Sequence, residues 1–89
     1  MKAKRAKLEP VTVAWNDSTR YASWHDARDC VYQPMKCKTR GFLLQSNRKI
    51  VAIATSIGLT DTGELGQVCD VMVIPRSCVT SIRKDRGSQ

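Results

Sequence analysis

Short-range alternation opens the folded part of the chain. Val11, Val13 and Trp15 fall on one side and Thr12 and Ala14 on the other, the period of a half-buried strand. Asn16-Asp17-Ser18 follows as turn and cap chemistry. Between Thr19 and Tyr32 the period lengthens. Tyr21, Trp24, Ala27 or Arg28, and Val31 recur at helical spacing, with Ser18 or Ser23 as N-cap and Pro34 as the stop. This predicts a short helical insertion over about 19–33, with Trp15 and Trp24 in the core.

Period two returns from Met35 to Ser46. Cys37, Thr39, Gly41 and Leu43 share one face, and Lys36, Lys38, Arg40, Phe42 and Leu44 the other. A glycine in mid-strand, Gly41, predicts a sharp bend. After a turn at Ser46–Lys49, Ile50–Ile57 is apolar on both faces, which predicts a strand hidden from water on each side. A polar loop spans Gly58–Gly66. Gln67–Ile74 is again nearly apolar throughout, and Pro75 stops it. Pro75-Arg76-Ser77-Cys78 has the length of one tight helical turn, and Val79–Arg83 restarts an apolar pattern.

Five strands and one short helix predict an all-β domain, a five-stranded small barrel of the Sm-like or SH3-like kind. It occupies 10–84, between a basic arm at 1–9 and a tail at 85–89. A barrel has one inside, so strands apolar on both faces leave outward apolar surface to be covered. The helix around Trp24 covers part of it, and contacts with further copies of the chain cover the rest.

Length and charge narrow the picture. With 89 residues there is room for one domain with a small core, for which oligomerisation is an asset. The net charge of +7 is concentrated at the ends. Lys2, Lys4, Arg5 and Lys7 against Glu9 give +3, and Arg83, Lys84 and Arg86 against Asp85 give +2. Such tails contact phosphates or serve as solubilising ends. No apolar run approaches the roughly 20 residues of a membrane span. The N-terminal charges are followed by no apolar run, so no secretory signal is expected, and the expected location is a cytoplasm.

Cys30, Cys37, Cys69 and Cys78 form no C-x-x-C pair, and His25, the single histidine, is not at ligand spacing from them. They read as reduced thiols acting as small hydrophobes. His25, Asp26 and Asp29 cluster in sequence but diverge on a helix. Without paired carboxylates, a glycine-rich phosphate loop or a nucleophile with its base, the chain is expected not to be an enzyme and to need no metal or cofactor.

From Val11 to Arg83 the chain resembles the Sm-like fold, the family of the eukaryotic Sm proteins and the bacterial host factor Hfq. Val11-Thr12-Val13 is similar to the first strand and Arg40-Gly41-Phe42-Leu43 to the glycine-containing second. Ile50–Ala54 stands in the place of the third, and Val73–Ile82 has the spacing of the second Sm motif. The family's Arg-Gly pair is here Pro75-Arg76, and its tight turn after the first strand is the insertion Thr19–Pro34. The chain also looks like small phage proteins with a W-x-D/S start, a G-F-L strand and an I-P-x-x-C/W-I ending. An SH3-like barrel fits as well, since its long loop follows the first strand.

The resemblance implies a homo-oligomer, in the family a ring, in which the fourth and fifth strands pair between subunits. It also implies an RNA or nucleotide ligand at the loops after the second and fourth strands. Those loops hold Asn47, Arg48 and Lys49, then Arg76 and Ser77. Arginine and lysine attract phosphates and asparagine reads a base edge; the same residues also fit ordinary turn chemistry. Lys36, Lys38 and Arg40 form a second candidate, a stripe able to track a phosphate backbone or to keep a strand face soluble. The alternative function is a protein-interaction module, such as a phage accessory or assembly factor bound to a host or phage protein. Aromatic and apolar groups on the insertion would then make the contact.

Overall fold

The computed structural model describes residues 8–85, so the basic arm and the tail, apart from Leu8, Glu9 and Asp85, lie outside the described residues. Five strands run in chain order: β1 (Pro10–Asp17), β2 (Met35–Ser46), β3 (Ile50–Leu59), β4 (Leu65–Pro75) and β5 (Val79–Lys84). They form one sheet in the order β4-β3-β2-β1-β5, with every neighbouring pair antiparallel. β2 has the bounds expected for it, and β3 and β4 are each longer than their apolar runs.

β4 and β5 are the two edges of the sheet, yet the three-residue 3-10 turn Arg76–Cys78 joins them. So short a connection requires the sheet to curl until its edges approach at that end. No ladder joins β4 to β5, so the sheet is an open, curled one where a closed barrel was expected.

Curling concentrates the core where strands overlap. Val11 and Val13 of β1, Val51 and Ile53 of β3, and Ile74 of β4 are fully buried. Trp15, Leu43, Cys78, Val79 and Ile82 pack around them. The registers explain this grouping: Val13 stands opposite Ile82, Leu43 opposite Ile53, and Val51 opposite Ile74. Gly41 is required by a close approach. A Cβ there would lie 2.7 Å from the carbonyl oxygen of Ala54, a backbone atom that cannot step aside.

Two further expectations are corrected. The insertion is not a helix; its one helical element is a 3-10 turn at Ala27–Asp29, capped by the Asp26 side chain accepting from the Arg28 amide. Helices draw most of their stability from packing an apolar face. Here Tyr21, Val31 and Tyr32 are exposed and Trp24 is fully so, leaving no core for such a face. Tyr21 instead meets Tyr32 edge-on at 5.4 Å, which ties the two ends of the loop together. Trp24 is therefore not a core residue, whereas Trp15 is half-buried and donates its indole N–H to Thr39 Oγ1 at 2.9 Å. The second correction concerns β3, expected to be hidden from water on each side from Ile50 to Ile57: Thr55 and Ser56 are exposed, because β2 accompanies the strand only as far as Ala54. The outward apolar surface expected of β4 is present. Val68, Val71, Met72 and Val73 are all more than 40% exposed, because the strand has a neighbour on one side alone.

Candidate nucleic-acid interface

The turn after β2 is built by its asparagine. Asn47 Oδ1 accepts from the amides of Lys49 (2.8 Å) and Ile50 (2.9 Å), while its own amide donates to Ile50 O at 3.0 Å. With the side-chain carbonyl so engaged, the amide nitrogen is the group Asn47 retains for a ligand. The β4–β5 turn docks on this one. The Arg76 amide donates to Lys49 O at 2.8 Å, and Arg76 Nη1 donates to Ser46 Oγ at 2.8 Å. Ser46, Asn47, Arg48 and Arg76 line an open cavity of about 550 Å³. Two loops nearly 30 residues apart thus present two guanidinium groups and an amide to one space. Lys49 and Ser77 are exposed beside it without lining it. Ser46 was not anticipated; its role follows from the strand end that the turn leaves.

Lys36, Lys38 and Arg40 lie on one exposed strip of β2, as their spacing predicts. The register adds what spacing could not. Lys36 stands opposite Asn16, Lys38 opposite Ala14 and Arg40 opposite Thr12, and across β1 Thr12 meets Arg83 and Ala14 meets Ser81. The stripe is one border of a three-strand face whose middle row is small. Two clefts adjoin this stripe. One, of about 570 Å³, is lined by Thr12, Lys38, Arg40, Arg83, Lys84 and Asp85. The other, of about 640 Å³, is lined by Ala14, Trp15, Asn16, Lys36, Cys37, Lys38 and Thr80. Lys38 lines both.

A single carboxylate sits among these cations. Thr12 Oγ1 lies 2.9 and 3.0 Å from the two carboxylate oxygens of Asp85 and donates to them, and Arg40 Nε donates to Oδ2 at 3.0 Å. The Thr12 hydroxyl, and after it the Arg40 and Arg83 guanidinium groups, hold the Asp85 carboxyl below the usual aspartate range despite partial desolvation. Lys84 pairs with Glu9 at 3.3 Å. Among the described residues, Lys36, Lys38 and Arg83 have no acidic group within ion-pair distance.

The loop pocket and the stripe remain separate surfaces. From Arg40 to Ser46 the chain advances six residues along β2, up to about 20 Å. The insertion forms a third feature, the ring cluster of Tyr21, His25 and Tyr32. His25 Nδ1 is 2.9 Å from the Ser23 carbonyl oxygen, which only accepts, so Nδ1 carries the proton. In the neutral ring Nε2 then accepts from the Tyr32 hydroxyl at 2.7 Å. Both ring nitrogens are thus committed to structure.

Compared with known protein families, curated proteins and solved structures, the chain matches none of them. No helix among the described residues is long and apolar enough to cross a membrane.

Proposed function

We propose that the chain is a non-enzymatic, self-associating domain of the Sm-like type that binds RNA or nucleotides, acting in a cytoplasm, that of a host cell if the chain is phage-encoded. The observation that carries this reading is the convergence of the two loops. Arg76 bonds the β2–β3 turn through both its backbone and its side chain, and so brings Arg48, Asn47 and its own guanidinium around one cavity. Arginine pairs suit phosphate, and an asparagine amide suits an acceptor on a base edge. The strand order supports the self-association, because β4 and β5 are the open edges and β4 carries exposed Val71 and Val73. A long apolar edge invites another strand. Pairing β4 of one copy with β5 of the next would bury both edges, and repetition would close a ring.

The experiment is a fluorescence polarisation titration with oligo-U, oligo-A and duplex DNA at two salt concentrations. Arg48→Ala with Arg76→Ala should weaken RNA binding and lower the salt slope by about two. Unchanged affinity and slope would remove the loop pocket from the reading. Light scattering should give a mass several times that of the chain, and Val71→Lys with Val73→Lys should reduce it to a monomer. A wild-type monomer at micromolar concentration ends the ring proposal.

One observation favours a second reading, a protein-interaction or phage assembly module on an SH3-like barrel. Trp24 stands wholly in solvent, and Val31 and Tyr21 of the same insertion are exposed too. Exposed aromatics are the usual anchors of protein contacts. Binding through them would change little with salt, whereas binding through phosphates falls steeply.

A further inference from the structure

We infer that the β2-β1-β5 face is a binding groove for single-stranded nucleic acid whose end is held by the chain's own Asp85, so that a ligand phosphate must displace that carboxylate. The inference rests on the nucleic-acid reading but not on the loop pocket. Three observations carry it. Lys38 lines both clefts, so the cation-lined surface extends along β2 as a channel rather than a single-ion site. Lys36, Lys38 and Arg40 line it at every second residue, about 6.7 Å apart, and Arg83 extends the row across β1. A line of evenly spaced cations fits a chain of phosphates better than one isolated anion. Thr12 and Ala14 of the middle row, with Ser81 of β5 beside Ala14, are small enough for a strand to lie close to the sheet.

Asp85 shows what the end of the channel selects. Its carboxylate takes one hydroxyl hydrogen and one guanidinium hydrogen, the donors a phosphate oxygen would take. Its position is fixed from behind, since the Asp85 amide donates to Pro10 O at 2.8 Å. The side chain therefore leaves by rotation without unpairing β5. Among the described residues, Asp85 is the only acid lining the channel. Occupant and ligand compete for Arg40 and Thr12, and the channel is weaker for nucleic acid than its cations alone would make it. Discrimination against weakly charged ligands follows, because a ligand must offer at least one full phosphate to repay the displaced carboxylate.

The test compares two substitutions of equal charge change. Asp85→Asn removes the occupant's charge, and Asp61→Asn removes one in the β3–β4 loop, away from the channel. Binding of a fluorescein-labelled single-stranded oligonucleotide is read by polarisation across salt, with circular dichroism as the check on folding. If the carboxylate holds the site nine-tenths of the time, its removal tightens binding about tenfold. Asp61→Asn should change it less than about twofold. Lys38→Ala and Arg83→Ala should each weaken binding and lower the salt slope by about one. The Asp85→Asn gain should persist when Arg48 and Arg76 are alanine, which separates this groove from the loop pocket. Equal effects of Asp85→Asn and Asp61→Asn, or unchanged slopes for Lys38→Ala and Arg83→Ala, overturn the inference while leaving nucleic-acid binding in place. Preference of the Asp85→Asn protein for a poly-glutamate peptide or for anionic vesicles overturns the choice of ligand. No binding of any oligonucleotide by any form overturns both readings.

Discussion

The two halves of β3 differ more than their sequences do. Val51, Ala52, Ile53 and Ala54 are buried without a break, whereas Thr55, Ser56, Gly58 and Leu59 are exposed. The register locates the change. β2 accompanies β3 as far as the pair Phe42–Ala54, and beyond it only β4 remains alongside. Four consecutive buried residues require cover on both faces, which the curled part of the sheet supplies. The outer half is a two-stranded ribbon, an arrangement of marginal stability by itself. Apolar pattern thus sets the capacity for burial, and the number of neighbouring strands decides where it is used.

The largest test of this contrast sets Ile53 against Ile57, which lie on the same strand. Ile53→Ala should destabilise the domain by about 2–5 kcal/mol, because it empties space among Val13, Leu43 and Met72 that the sheet cannot collapse into. Ile57→Ala, in the ribbon opposite Val68, should cost about 1 kcal/mol or less. Urea unfolding of the two variants measures both. Equal losses would mean that the ribbon is part of the core.

Gly41 tests the boundary between the halves, since it packs against Ala54, the last buried residue of β3. Gly41→Ala places a methyl 2.7 Å from a backbone oxygen, so the two strands must part. The cost should be about 1–3 kcal/mol, less a few tenths returned by the stiffer unfolded chain. Thermal unfolding that is unchanged or raised would show that β2 has room to relax at this position.

The parts of this fold that were legible are those set by local pattern. Alternation located β2 from Met35 to Ser46, Pro75 located the end of β4, and Gly41 marked a close approach of β2 to β3. The insertion was misread because Tyr21, Trp24 and Val31 keep helical spacing without any surface to pack on, and spacing alone cannot reveal that. The site divides the same way. The Lys36–Lys38–Arg40 stripe follows from period two. The company of Thr12, Arg83 and Asp85 depends on β5 pairing with β1, a contact across about 70 residues that no local pattern encodes. Ser46 at the loop pocket depends likewise on where Arg76 docks.

A smaller effect should come from the ribbon's one strained residue. Asp70 has φ +60°, in the left-handed region, with its carboxylate 3.3 Å from Thr55 Oγ1. Glycine adopts that conformation without penalty, so Asp70→Gly should stabilise the ribbon by about 1 kcal/mol, and Asp70→Ala should destabilise it. Amide exchange at Ser56 and Cys69 is the sensitive readout, since a ribbon that opens independently of the core registers the change locally. An unaltered global midpoint with slower exchange at these residues would confirm that the two halves of β3 unfold separately. A shift in the midpoint equal to the local change would join them.

The smallest effect is expected at the most conspicuous residue. Trp24 contacts solvent on every side, so Trp24→Ser should leave stability within about 0.5 kcal/mol of the parent. The substitution also leaves Trp15 as the sole indole, half-buried against the core and bonded to Thr39. Its emission should be blue-shifted relative to the parent spectrum, in which a wetted and a packed indole are averaged. Unfolding of the variant should then show one transition, reported from the inner half of the sheet alone. A loss of more than about 1 kcal/mol would place Trp24 against structure, and with it the insertion among the elements that hold the sheet. A stability left unchanged means that an exposed tryptophan is retained without any folding role, and the insertion's worth must then be sought in what it contacts.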